Sequence, residues 1–218
     1  MTGITISIPT KDRPEYLFNA LKSIKEQTIQ PDEIVISEAG HFGTTEKLCH
    51  EFSSQFSCPL KVLDNNNSER IDNWLNSINQ AKFKYVLILC DDDKLEPEAI
   101  KQFKFSINQY PNNGLFACRQ RILTSSGDET FSPKYPNKYA TGYRLDKYLI
   151  RYGFPGFPSI VINKSLLPFS DMKYCIFNSA DYICDLFLVA EYFNYGVVFN
   201  DYCSSTFYYH EFTQSSTG

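Results

Sequence analysis

Apolar positions in the first half of the chain fall into two alternating rhythms. Short β-branched runs set one of them: Ile4-Thr5-Ile6-Ser7-Ile8 before Pro9, Glu33-Ile34-Val35-Ile36-Ser37, Leu60-Lys61-Val62-Leu63 and Tyr85-Val86-Leu87-Ile88-Leu89-Cys90. Such runs read as strands, and the fourth, with no polar alternation, reads as a strand buried on both faces of a sheet with Cys90 inside it. Between the strands the spacing is helical. Leu17, Ala20, Leu21 and Ile24 form one stripe, Leu48, Phe52 and Phe56 a second, Ile71, Leu75 and Ile78 a third, and Ile100, Phe103 and Ile107 a fourth. Asp12 before Pro14 reads as a helix cap with proline in the first turn, and Thr44 as the cap of a helix reaching about Phe56. The third helix is expected over about 69–81, and the fourth from Pro97 to about Tyr110.

Strands alternating with helices of about ten to fifteen residues predict βαβ units and an α/β fold with a mainly parallel sheet. The loops after the first, second and fourth strands then share one edge of that sheet, where open α/β sheets bind ligands. After about residue 119 the rhythm breaks. Residues 124–142, rich in Ser, Thr, Pro, Lys and Tyr, read as a long loop or a poorly packed excursion. Gly153-Phe154-Pro155-Gly156-Phe157-Pro158 is a turn before a strand at Ser159-Ile160-Val161-Ile162. A helix is expected over 179–194, with Ile183, Phe187, Val189 and Ala190 apolar, and late strands at 197–199 and 206–209. No repeat or internal boundary stands out, so a single domain is expected over 1–218.

Composition narrows the function. An apolar fraction of 43% supports a substantial core, and a net charge of −4 without a basic stripe argues against nucleic acid as a partner. The 18 Phe and 15 Tyr residues serve either a Phe-rich core or a surface for ring-shaped ligands. Seven cysteines, none in a C-x-x-C pair, read as reduced thiols of a cytoplasmic protein. No secretory signal or membrane-spanning run is evident.

The chemistry concentrates where the fourth strand ends, in Asp91-Asp92-Asp93. Adjacent carboxylates repel and raise one another's pKa, so the cluster is either solvated or neutralised by a cation. Mg²⁺ and Mn²⁺ prefer carboxylate oxygens and keep positions open for phosphates. The plainer reading is a solvated loop that caps the next helix.

Taken in order, the motifs resemble those of the family 2 glycosyltransferases. Ile6-Ser7-Ile8-Pro9-Thr10-Lys11-Asp12-Arg13-Pro14 resembles the family's opening, and Asp32-Glu33-Ile34-Val35-Ile36-Ser37-Glu38-Ala39-Gly40 its second strand. Asn73-Trp74, then 85–97 with the acidic triplet, resembles the approach to its Asp-x-Asp motif. Ser179-Ala180-Asp181-Tyr182 resembles the motif with the catalytic base, and Tyr208-Tyr209-His210 the closing segment.

The resemblance implies a GT-A fold, Rossmann-like, with residues 1–118 binding a nucleotide sugar and 119–218 forming an acceptor side. It implies an inverting transfer from a nucleotide-diphosphate donor, a UDP-sugar first among them, to a glycan or glycoconjugate, assisted by Mn²⁺ or Mg²⁺. Asp91, Asp93 and His210 are then the metal ligands, and Asp181 the base. Pro9, Thr10, Asp12, Arg13, Glu38, Arg70, Asp91 and Asp92 contact the donor. Asn73 and Trp74 shape the core behind the site. The resemblance also allows contact with a membrane surface. Plainer roles stand beside these: a helix cap for Asp181, a solvated side chain for Arg70, and a packed surface residue for His210. Ser37-Glu38 departs from the family's usual acidic pair, which leaves base recognition open. Two other functions compete. A nucleotidyltransferase that makes nucleotide sugars uses a similar sheet but wants a Gly-rich phosphate loop, and residues 9–14 contain no glycine. A non-catalytic nucleotide-sugar-binding module is the other. The stretch 124–158, with Tyr135, Tyr139 and Tyr143, is expected to be either a lid over the donor or a solvated loop.

Overall fold

The computed structural model describes residues 2–134, 138–140, 156–168, 171, 191, 192 and 194–209. Its elements in chain order are β1 (Ile4–Thr10), α1 (Pro14–Lys25), β2 (Glu33–Glu38), α2 (Phe42–Ser53), β3 (Leu60–Asp64), α3 (Arg70–Asn79), β4 (Tyr85–Ile88), β5 (Lys94–Leu95), α4 (Ala99–Gln109), β6 (Leu115–Thr124), β7 (Glu129–Phe131), β8 (Lys138–Ala140), β9 (Ile160–Asn163) and β10 (Val197–Tyr209).

The strands form one sheet in the order β3-β2-β1-β4-β9-β6-β10-β5, with β7 on β6 and β8 on β10. The expected parallel block is present: β3, β2, β1 and β4 all run the same way. β9 enters antiparallel between β4 and β6. Two reversals restore the direction, so β6 and the parallel β10 point the same way as β4. The carboxyl ends of β1, β2, β4, β6 and β10 therefore share one edge.

Side-chain alternation along the central strands fills both faces. In β4 and the residue after it, Tyr85, Leu87 and Leu89 join the cluster built on Leu17, Leu21, Phe52, Ile100 and Phe103. Val86 and Ile88 face the opposite cluster, with Leu75 and Ile78 of α3. The helical stripes read from the sequence are the buried faces: Leu17, Ala20, Leu21 and Ile24 in α1, and Ile100, Phe103 and Ile107 in α4.

Several local expectations need correction. Asp12 does not cap α1; Arg13 occupies that position without a side-chain cap bond, and the Asp12 carboxylate accepts from the His41 backbone instead. α2 starts at Phe42 after His41, so Thr44 lies inside its first turn, and it stops at Ser53 while Phe56 is buried beyond its end. Cys90 falls outside β4 and is half-buried. The stretch 124–142 contains β7 and β8 where a loop was expected. β7 folds back on β6 through a turn whose Gly127 has φ 88°, a conformation that suits glycine. The two late strands are one, β10, whose register shifts between Phe199 and Ser205 hid its continuity. β6 had no signal because Arg119, Gln120 and Arg121 interrupt its apolar run. Of the helix expected over 179–194, residues 179–190, with Asp181, and 193 lie outside the described residues, as do His210, Tyr135 and Tyr143; Tyr139 lies in β8.

Candidate functional site

The parallel register places Thr10, the last residue of β1, opposite Glu38, the last of β2. Asn73 of α3 locks these ends together, its Nδ2 donating to the carbonyls of Thr10 and Ser37 at 3.0 Å each. Glu38 is fully buried and acts as an anchor. Its Oε1 accepts from the backbone N–H of Asp12 (3.1 Å) and Gly40 (2.6 Å), and its Oε2 from the Thr45 hydroxyl (2.5 Å). A buried carboxylate needs such donors to offset its lost hydration.

That anchor holds Asp12 at φ 54°, in the left-handed region. Asp12 Oδ1 accepts from the His41 backbone N–H at 2.7 Å and lies 2.6 Å from His41 Nδ1. The backbone bond from His41, ahead of the side-chain one, pulls the Asp12 carboxyl below its usual range. A Cβ on Gly40 would sit 2.3 Å from the Asp12 carboxylate, so a larger residue there would push that carboxylate off its bond to His41.

The acidic triplet leaves the neighbouring strand end, where the Asp93 N–H turns back to the Cys90 carbonyl at 3.1 Å. Asp91 is 4% exposed, and both its oxygens are engaged: Thr10 Oγ1 donates to Oδ2 at 2.7 Å and Arg13 to Oδ1 at 2.8 Å. Arg13 reaches across to Asp92 Oδ2 at 2.9 Å. Asp93 is 1% exposed; its Oδ1 accepts from the Tyr208 N–H of β10 at 3.1 Å, and its Oδ2 has no hydrogen-bond partner among the described residues. Burial pushes Asp91 up to about 7, with Arg13 opposing and Asp92 adding to the rise. Burial, then Asp92, lifts Asp93 well above the usual carboxylate range.

Oxygens of Asp92 and Asp93 and the Cys90 sulfur lie within 4.8 Å of one another. A hard divalent cation fits this cluster, because a buried carboxylate oxygen without a donor is left for it. The soft thiol of Cys90 suits such an ion less than the carboxylates do.

The fold thus gathers Thr10, Asp12, Arg13, Glu38, Asp91, Asp92 and Asp93 at one edge. Pro9 lies one residue inside β1, opposite Ser37. Arg70 opens α3, its guanidinium 5.7 Å from the centre of the Trp74 ring, and Trp74 packs edge-on to Phe157 at 5.3 Å. Two contacts were not foreseen, although Tyr208 belongs to the closing segment singled out in the sequence. His41 pairs with Asp12 across 29 positions, and Tyr208 contributes a backbone N–H, which any residue but proline supplies.

Comparisons with known proteins bear on the family and the fold. The model of the glycosyl transferase family 2 matches residues 5–165. Comparison with curated proteins gives no match. Among solved structures, the fold is similar to S. aureus TarS 1-349 in complex with UDP-GlcNAc, with a TM-score of 0.72 at 18% identity, covering 100% of this chain and 61% of that one. The same protein in complex with UDP gives a TM-score of 0.70 at 17% identity over 96% of this chain and 61% of that one. This chain therefore spans about three-fifths of the length of those relatives. Family match and fold lead to one conclusion: the chain belongs to glycosyl transferase family 2 and has its GT-A architecture.

Proposed function

We propose that this chain transfers a sugar from a nucleotide-diphosphate donor, a UDP-sugar, to a glycan or glycoconjugate acceptor, with inversion and with Mn²⁺ or Mg²⁺ bound at the acidic triplet. The buried Asp93 oxygen without a donor, at the shared carboxyl edge of a family 2 fold, carries this reading. TarS complexes with UDP and UDP-GlcNAc support the choice of base.

In this reading Asp93 and Asp92 hold the ion, and Asp91 has its Oδ1 open to a ligand once Arg13 lets go. His210, two residues beyond the Tyr208 amide, is proposed as a further ligand. The bound ion would offset charge on the leaving diphosphate. The rest falls to the chain's own groups. Thr10 and Arg13 orient the carboxylates, while Asp12 and Arg70 border the path of the nucleoside. Glu38 organises the loop beneath the donor rather than touching the base, since its oxygens are taken by three protein donors. Asp181 is proposed to remove the proton of the acceptor hydroxyl.

The test is calorimetry of UDP with Mn²⁺, paired with UDP release from a panel of UDP-sugars. Asp93→Asn is expected to lose metal-dependent nucleotide binding while melting like the parent. Asp181→Asn is expected to keep that binding and lose about 10²–10⁴-fold in turnover. Undiminished metal-dependent UDP binding by Asp93→Asn would sink the metal assignment.

A further inference from the structure

Three adjacent carboxylates at this edge have one cation in direct contact: among the described residues, the ion pairs made by the triplet both come from Arg13. The contact is a bridge. One guanidinium nitrogen bonds Asp91 at 2.8 Å and the other bonds Asp92 at 2.9 Å. The guanidinium also lies over the Tyr16 ring, 4.2 Å from its centre. Asp93, deepest of the three, receives neither nitrogen and keeps one oxygen without a partner among the described residues. That orphaned buried oxygen marks a ligand position, and the carboxylate that lies within 4.8 Å of Asp93, that of Asp92, has one oxygen held by Arg13.

Arg13 is mounted differently from the carboxylates it neutralises. Asp91 and Asp93 are nearly inaccessible, whereas the Arg13 side chain is 38% exposed and sits just before α1. It is attached on one side of the acid cluster, its ring contact is with a partly exposed tyrosine, and its reach is that of a long flexible stem. A planar guanidinium also matches phosphate oxygens as well as it matches carboxylates.

We propose that Arg13 is an exchangeable counterion that couples diphosphate binding to metal binding, an inference that rests on the metal-dependent reading above. Without ligands it bridges Asp91 and Asp92 and stands in for the cation. An arriving diphosphate offers it a competing pair of oxygens. Its transfer to the diphosphate frees one oxygen on Asp91 and one on Asp92, and Asp92, which lies within 4.8 Å of Asp93, then accepts the divalent ion together with it. Each ligand removes an obstacle to the other, so the coupling is reciprocal. Thr10 keeps its bond to Asp91 throughout and holds that carboxylate in place while Arg13 moves.

The test measures Mn²⁺ binding by electron paramagnetic resonance, in the folded full chain, with and without UDP, for the parent, Arg13→Gln and Arg13→Lys. In the parent, saturating UDP is expected to tighten Mn²⁺ by about 10-fold or more, within the usual range of coupling between sites. Arg13→Gln should bind Mn²⁺ more tightly than the parent in the absence of UDP and lose most of the tightening by UDP. Arg13→Lys keeps the charge but not the two-pronged bridge, so it should fall between them. Thermal melts confirm that each variant is folded. If Arg13→Gln leaves nucleotide-free Mn²⁺ affinity unchanged, or keeps the parent's full coupling, Arg13 is a fixed structural clamp and the proposal fails. If Lys and the parent behave alike while Gln differs, charge alone acts and the exchange of partners is refuted. A parent that binds no Mn²⁺ even with UDP overturns the metal reading itself, an outcome distinct from these.

Discussion

Single residues at this site divide their labour by burial. Glu38 shows the principle: a carboxylate with no exposure and three donors is too committed to bind anything else. Its removal should therefore register in stability before function. Glu38→Ala leaves two amides and a hydroxyl without their acceptor, and is expected to cost about 3 kcal/mol or more in urea unfolding. Glu38→Gln should cost less, since the amide oxygen still serves both N–H groups and its NH₂ can donate to Thr45. A Gln variant as damaged as the Ala variant would mean that the charge, not the bonding, is what the loop needs. Asp93 is the opposite case, buried but half unsatisfied, and its replacement should spare stability and abolish metal-dependent binding.

At the scale of elements, the site depends on strand ends being held in register. Asn73 performs that task between β1 and β2 from a position on α3, well outside the acidic loop. Asn73→Ala is expected to destabilise the fold by about 1–3 kcal/mol and to weaken nucleotide binding, because the Thr10 that it steadies orients Asp91. Unchanged nucleotide affinity in a folded Asn73→Ala protein would show that Thr10 holds its place without help. The elements themselves were largely legible in the sequence. Strand and helix periodicity marked the first block because β1, β2 and β4 are buried on both faces and its helices carry apolar stripes. β6 and the middle of β10 were illegible for one reason: polar residues interrupt their apolar runs, Arg119 pairing with Asp201, Arg121 with Glu96, and Asn200 accepting from the Tyr202 backbone. The acidic triplet, Thr10 and Glu38 were legible as a group because strand ends converge. Which of them faces a ligand was not, since that depends on which oxygens other residues have already taken.

For the whole molecule, the buried acids tie stability to pH. Asp91 is held at about 7 in the folded chain, above its ordinary value of 3.8. Between those values the folded state keeps a proton that the unfolded chain releases, so this group's contribution falls as pH rises through the window. Asp93 acts in the same direction. The melting temperature of metal-free protein is expected to drop relative to the Mn²⁺-loaded protein as pH goes from about 4 to about 7. Differential scanning calorimetry with EDTA or Mn²⁺ across that range checks this. A gap between the two curves that stays constant with pH would show that the triplet's protons do not compete with the ion.

The bond from the Tyr208 amide to Asp93 spans 115 positions of sequence. Everything between those two residues, including β6, β9 and most of β10, lies within a loop that this hydrogen bond closes across the acidic cluster. The last strand is thereby wired to the charge state of the first half of the chain, and its amide proton becomes a local gauge of site occupancy. Hydrogen–deuterium exchange at Tyr208 should slow when Mn²⁺ and UDP fix the Asp93 carboxylate, and quicken in Asp93→Ala, while amides in the middle of β1 exchange alike in all three samples.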